Sequence, residues 1–198
     1  MVNFQFQTYF HNEFQTRGIE YLKGKGYEVM DTTYHNTFSE KAAAILQNMN
    51  YDITALYLKG WPDNWIIRDD FVAAIDWKTQ EIERPNYSIE ATSYAIHYTL
   101  AKIGIRVIYP YWDVFTKTEK GILLDKDKKF AIVGDTVLFP PQADKNIQTK
   151  TLQRDFLRDV FGEKLQFHNS KGGHSPDPFF IIKANIIKNL PDWKDLIP

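Results

Sequence analysis

Residues 60–79 read Gly-Trp-Pro-Asp-Asn-Trp-Ile-Ile-Arg-Asp-Asp-Phe-Val-Ala-Ala-Ile-Asp-Trp-Lys-Thr, and no other stretch of the 198-residue chain restricts its fold as tightly. Two apolar, β-favouring runs, Trp65 to Ile67 and Phe71 to Ile75, flank the polar Arg68-Asp69-Asp70, a pattern that predicts a hairpin turning at Asp69-Asp70. A turn centred there fixes the register. Arg68 opposes Phe71, Ile67 opposes Val72, Ile66 opposes Ala73, Trp65 opposes Ala74 and Asn64 opposes Ile75; the next pair outward is Asp63 with Asp76.

Residues opposite one another on an antiparallel pair share a face, with Cβ atoms roughly 4.5–5.5 Å apart, and like charges there destabilise the pair. At an effective dielectric of about 20, two carboxylates about 5 Å apart repel by roughly 3 kcal/mol. The hairpin end therefore calls for positive charge. Lys78 supplies part of it, because side chains alternate along a strand and Asp76 and Lys78 fall on one face. A divalent cation shared by the two carboxylates would supply the rest, and oxygen ligands suit Mg²⁺ or Mn²⁺ with positions left for water and a phosphate oxygen. Two aspartates, a metal and a lysine at one strand end suit phosphodiester hydrolysis: the metal polarises the phosphate and acidifies a water, while Lys78 orients or helps deprotonate that water and offsets transition-state charge.

Pro62-Asp63, an apolar strand, then Asp76-Trp77-Lys78 resembles the PD-(D/E)xK nuclease superfamily. The resemblance implies an α/β, restriction-endonuclease-like fold, a mixed central sheet flanked by helices with a C-terminal elaboration, and Mg²⁺- or Mn²⁺-dependent cleavage of DNA. It implies Asp63 and Asp76 as metal ligands, with the main-chain carbonyl of Trp77 as a third. A first-helix glutamate often joins the metal in this superfamily, which makes Glu13 the candidate, followed by Glu20 and Glu40. The order helix, glycine, strand is similar to archaeal Holliday-junction resolvases. Glu90 and Tyr94, four apart on an expected helix, resemble the Gln-x-x-x-Tyr element of RecB-like nucleases, with a carboxylate in place of the amide. The alternative is a nucleic-acid-binding protein that keeps the fold without the chemistry. Two further acid-x-Lys triplets, Asp127-Lys128-Lys129 and Asp192-Trp193-Lys194, directly follow no apolar strand, and a second Pro-Asp, Pro176-Asp177, has no acid-x-Lys directly after its strand.

Composition narrows the class. With 43% hydrophobic and 15% aromatic residues the chain is expected to pack one core, and with no cysteine it forms no disulfide, zinc-thiolate site or iron–sulfur cluster. No apolar run approaches a membrane span and the start lacks a signal peptide's pattern, so a soluble, intracellular protein without a membrane partner is expected. A net charge of −1 leaves any DNA contact to a local basic patch.

The rest of the chain frames this stretch. Residues 4–24 have helical spacing (Phe6, Phe10, Phe14, Tyr21), ended by Gly24 and Gly26 before a strand from Tyr27 to Met30. Ser39 is a natural N-cap for a second helix. Residues 51–58 fit both a continuing helix and a strand; as a strand they would make Asp52 a rival for the first aspartate. A helix from Tyr87 to Lys102 and a strand from Ile105 to Tyr109 suggest a crossover parallel to the Asp76 strand. Further on, a hairpin is expected from Gly121–Leu124 and Phe130–Val133, an edge strand at Val137–Phe139, a linker at 144–149 and a helix from Leu152 to Phe161. On that helix Arg154 and Arg158 form, with Lys145, Lys150 and Lys164, a candidate phosphate-contacting face. The loop 169–175 carries Lys171 and His174 beside two glycines, and Phe179–Ile182 is expected as a last strand which, with the apolar residues after it, offers a homodimer surface. The core is assigned to 1–143 and its C-terminal extension to 144–198.

Overall fold

The computed structural model describes residues 4–49, 52–81, 83, 86–142, 146–171 and 177–198. In chain order it contains α1 (Phe4–Gly24), β1 (Glu28–Asp31), α2 (Tyr34–Thr37), α3 (Glu40–Asn48), α4 (Ile53–Lys59), β2 (Asn64–Arg68), β3 (Phe71–Ile75), β4 (Lys78–Gln80), β5 (Asn86–Glu90) and α5 (Ala91–Lys102). There follow β6 (Arg106–Asp113), β7 (Thr118–Leu123), β8 (Thr136–Phe139), α6 (Ile147–Phe161), β9 (Gln166–Asn169), β10 (Phe179–Lys183), α7 (Ala184–Lys188) and a 3-10 turn (Trp193–Leu196). Among the described residues no helix is long and apolar enough to cross a membrane.

The hairpin forms in the expected register, Asn64↔Ile75 through Arg68↔Phe71. Asp69 turns it with φ of 51°, a left-handed conformation that aspartate tolerates. β1 adds antiparallel to β2, β6 lies parallel to β3, and β7 closes the far side antiparallel to β6, giving a mixed sheet. Helix α1 covers one face, where Phe14 and Leu22 pack with Ile66, Ala73, Ile75 and Trp77. Helix α5 covers the other, where Ala95 and Ile96 pack with Ala74, Val107 and Tyr109. Alternation along 73–78 thus sends Trp77 toward α1 and Asp76 and Lys78 toward α5.

β3 and β4 are one strand with a break. Ala73 pairs with Arg106 and Lys78 with Tyr111, an offset of 33 on both sides, so no residue is inserted between them. In this ladder the Asp76 N–H donates to the Ile108 carbonyl (3.1 Å), and the Asp76 carbonyl would next accept from the N–H of residue 110. Residue 110 is proline and has none, so the ladder lapses at Asp76-Trp77.

The structure corrects several expectations. A second sheet, β5-β10-β8-β9, stands beside the first. The helix expected from Tyr87 begins only at Ala91: residues 86–90 form a strand paired with 179–183, and Tyr87 and Ile89 are buried in strand alternation rather than on a helical stripe. The β6 strand does not end at Tyr109 but runs through Pro110 to Asp113. Residues 130–133 form turns instead of a hairpin arm; the arm at 118–123 pairs with β6. Both β8 and β10 are interior, so neither supplies the expected edge, and β10 offers no free edge to a second copy. The open choice at 51–58 resolves to helix from Ile53, capped by the Asp52 carboxylate on the Ala55 N–H (3.0 Å).

The two other acid-x-Lys triplets make structural contacts. Asp192 accepts from the Lys194 N–H (2.9 Å), and Lys194 and Arg17 both pair with Glu119 at 3.0 Å. The Lys129 ammonium donates to the Phe161 carbonyl.

Gly18 lets α1 lie directly on the broken strand. A Cβ there would fall 2.0 Å from Cη2 of Trp77, so Gly18→Ala must displace the indole. The expected cost is about 1–3 kcal/mol or more, read as a lowered urea midpoint.

Candidate active site

The break in the strand builds the site. In an extended chain the N–H and C=O of one residue point to the same edge, and those of Trp77 point away from Pro110, toward the side where β2 has ended at Asn64. Asp63, the residue before β2, fills that edge: its Oδ2 accepts from the Trp77 N–H at 2.9 Å. Asp63 thus caps the gap instead of lying squarely opposite Asp76, as a regular continuation of the hairpin would have it. Its carboxylate and the Trp77 carbonyl share one side of the chain.

The indole holds this geometry from the other face. Trp77 is fully buried, edge-on to Phe14 (centroids 5.2 Å) and Trp193 (5.4 Å), and its Nε1–H donates to Asn64 Oδ1 at 2.8 Å. Asn64 Oδ1 also accepts from Gln15 Nε2 at 3.3 Å. The side chain next to Asp63 is therefore locked to the side chain next to Asp76.

On the α5 face Lys78 forms an ion pair with Asp76 Oδ2, and Asp76 is only 4% exposed. Burial and the nearby Asp76 carboxylate push the Asp63 carboxyl up to about 7, against the Lys78 ammonium and the Trp77 N–H, which pull it down. Burial alone would lower the pKa of Lys78, but Asp76 and Asp63 outweigh it and hold the ammonium above its ordinary range. In the metal-free protein Lys78 is thus held as the cation, the form that donates and orients.

Around this core lie Glu90, which the sequence singled out, and further ionisable groups that it did not. Glu90, at the end of β5, accepts from the Thr92 hydroxyl (2.6 Å); burial and the nearby Asp177 push it up to about 7, and it also feels Lys78 and Asp76. Asp177 is itself raised by burial, countered by Lys59 and by a hydrogen bond from Gln153 Nε2 (3.4 Å). His11 of α1 is lowered by burial and then by Lys78. His97 is fully buried with Nδ1 2.7 Å from the Tyr109 hydroxyl, and burial lowers it to about 4, so it stays neutral.

Asp63, Asp76, Trp77 and Lys78 are brought together, with Glu90 within electrostatic reach. Glu13 instead lies 3.8 Å from Arg17 with its side chain 40% exposed, and the α1 side chain that feels Asp76 and Lys78 is His11. Glu20 and Glu40 are exposed, and Asp52 is the cap of α4. Glu90 precedes α5 rather than sharing a helical face with Tyr94, and the buried Tyr94 hydroxyl donates to the Lys129 carbonyl (2.9 Å), so the pair does not act as one element. Of the loop 169–175, His174 and both glycines lie outside the described residues, as do Pro176 and Lys145.

Among the described residues no group of three or more His, Asp or Glu side chains is placed to hold one ion. What the corner offers is a buried carboxylate (Asp76), a half-buried one (Asp63) and a main-chain carbonyl, all oxygen, with the Asp63 carboxyl pushed up to about 7 by desolvation and by Asp76. That donor set fits a hard divalent ion of the Mg²⁺ or Mn²⁺ kind that keeps several waters.

A carboxyl with a raised pKa in the folded state holds its proton more tightly there than in the unfolded chain. Its contribution to stability is full below about pH 4 and lost as the pH climbs through about 7. Asp63→Asn keeps an oxygen for the Trp77 N–H and cannot ionise. The variant is expected to gain about 2–4 kcal/mol over the metal-free wild type between pH 5 and pH 8, read from urea unfolding at the two pH values. Parallel curves at both would show that Asp63 is not under this strain. The chain matches no protein-family model and no curated protein sequence.

Proposed function

We propose that this protein is a metal-dependent nuclease that hydrolyses DNA phosphodiester bonds, with a structure-selective endonuclease as the first subclass. The observation that carries this reading is the lapse in the strand at Asp76-Trp77, where Asp63 caps the Trp77 N–H and two carboxylates come to share a corner with one lysine. The element order supports a restriction-endonuclease-like arrangement: a helix, three antiparallel strands with α2–α4 inserted between the first two, then, after β4 and β5, a helix and a strand parallel to β3.

Asp63 and Asp76, with the Trp77 carbonyl, would hold Mg²⁺ or Mn²⁺. When bound, such an ion supplies polarisation of the phosphate and a water of lowered pKa. Lys78, kept protonated by the two aspartates, presents its ammonium to a non-bridging phosphate oxygen and orients the attacking water. Glu90, with its pKa near 7, is the group suited to accept that water's proton. Trp77 and Asn64 hold the two aspartates in place without touching DNA.

The test is incubation of end-labelled duplex, single-stranded and four-way-junction DNA with Mg²⁺, Mn²⁺ or EDTA. Products that require the metal and follow the junction support the reading. Intact DNA in every condition, with or without binding, overturns it. If Glu90 is the proton acceptor, Glu90→Gln removes the acidic limb near pH 7 from the log kcat against pH profile and lowers the plateau about 10²-fold or more; a profile of unchanged shape would move the role elsewhere.

A further inference from the structure

The second sheet carries a cationic stripe. Lys150, Arg154 and Arg158 lie four apart on α6 and so share a face, about 12 Å long at 1.5 Å per residue. Each lies over aromatic rings of β8 and β9. The Lys150 ammonium sits 5.5 Å from the Phe139 centroid, the Arg154 guanidinium 5.2 Å from Phe139 and 5.5 Å from Phe167, and the Arg158 guanidinium 5.2 Å from Phe167. The rings face the cations and are covered by them, so they fix the position of three charges and are not themselves platforms for bases.

Lys150 also donates to Asn169 Oδ1 (3.3 Å), while the two arginines are not neutralised by the helix's own acids. Asp155 and Asp159 are exposed one position further along, turned about 100° away, and no described carboxylate lies within ion-pair distance of Arg154 or Arg158. The charges also feel one another: burial, then Arg154, lowers the pKa of Lys150. A row of like charges held in place on a protein of net charge −1 is a local anion-binding surface, against the sign of the whole.

We propose that the Lys150–Arg154–Arg158 face of α6 binds the phosphate backbone of the nucleic acid that the Asp63–Asp76–Lys78 corner cleaves. This rests on the reading of the protein as a nuclease. The length of the stripe matches roughly three nucleotides of one strand at about 3.4 Å each. Its helix also leads to the site: Gln153, next to Arg154 and fully buried, bonds Asp177, whose charge acts on Glu90, which in turn feels Lys78. The contact is to phosphate alone, so it supplies affinity and register without sequence preference.

The test is equilibrium binding of fluorescent 30-mer duplex and single-stranded DNA in EDTA between 50 and 200 mM salt, where no cleavage occurs. The triple variant Lys150→Gln/Arg154→Gln/Arg158→Gln is compared with Lys23→Gln/Lys102→Gln/Lys188→Gln, which removes three exposed charges from α1, α5 and α7. The stripe variant is expected to bind about 10–100-fold more weakly at 100 mM salt, with the log K against log salt slope reduced in magnitude by about 2–3 for duplex; the control changes less than about threefold. Arg158→Gln alone, at an exposed position, guards against misfolding of the triple variant and is expected to reduce the slope by about 1. Equal losses in the two triple variants, an unchanged slope in Arg158→Gln, or tighter binding of the wild type to anionic lipid vesicles than to either DNA overturns the proposal. Binding through the stripe without metal-dependent cleavage overturns the catalytic reading and leaves the stripe standing; cleavage that is indifferent to the stripe does the reverse.

Discussion

Cleavage is expected to fall by about 10²–10³-fold when Lys78 is replaced by methionine, and to vanish in Asp76→Ala. Lys78 has two tasks that the variants separate. It offsets Asp63 and Asp76 in the resting protein, and it meets the charge that develops on the phosphate. Methionine fills the space of the lysine stem but leaves two carboxylates facing each other, so the metal-free variant loses stability above pH 7 and regains it on addition of Mg²⁺. Lys78→Arg keeps the charge and hence the stability, but a planar guanidinium does not reproduce a compact ammonium, so activity stays low. Single-turnover cleavage together with urea unfolding reads both effects. Were Lys78 only a structural partner of Asp76, Lys78→Arg would retain full cleavage.

The largest effect on stability is expected at Trp77. Trp77→Ala removes a fully buried indole wedged between Phe14 and Trp193, at an expected cost of about 3–5 kcal/mol. Trp77→Phe keeps most of the packing but loses the donor to Asn64 Oδ1, which still accepts from Gln15, so about 1–2 kcal/mol is expected. Activity should fall in both, because the packed indole holds in place the main-chain N–H of residue 77 that positions Asp63. A Trp77→Phe protein with wild-type cleavage and a cost near zero would show that the indole does not hold the corner.

The hairpin was legible because its determinants are local: two apolar runs, a polar turn, and a register that follows by counting. The structure reproduces those five pairs. The bond from the Trp77 N–H to Asp63 was not, since it depends on β2 stopping at Asn64 and leaving that edge of residue 77 open, and the lapse beside it at the Asp76 carbonyl depends on Pro110, more than thirty residues later. From the sequence the strand stops at Tyr109, just before Pro110, whereas β6 runs on through it. Residues 86–90 were misread for the same reason. Tyr87, Glu90 and Tyr94 fit helical spacing, and the partner that makes 86–90 a strand, residues 179–183, lies at the other end of the chain. Glu13 is the first-helix acid that the resemblance points to, but its neighbour in the fold is Arg17, one turn on. His11, two residues earlier, carried no local signal, because its only distinction is the pair of charges that the fold brings near it. The α6 cations were visible as an i,i+4 pattern, but their aromatic bed, from β8 and β9, was not.

The central claim is that two carboxylates compete for too little positive charge until an ion joins them. It is tested most directly by carbon-detected NMR titration of the Asp63 carboxyl with and without saturating Mg²⁺. Asp63 is predicted to titrate near pH 7 in the free protein and to fall to or below the ordinary value of about 3.9 when Mg²⁺ is present. A titration near 4 in the free protein, or a curve near 7 that Mg²⁺ leaves unmoved, would contradict it.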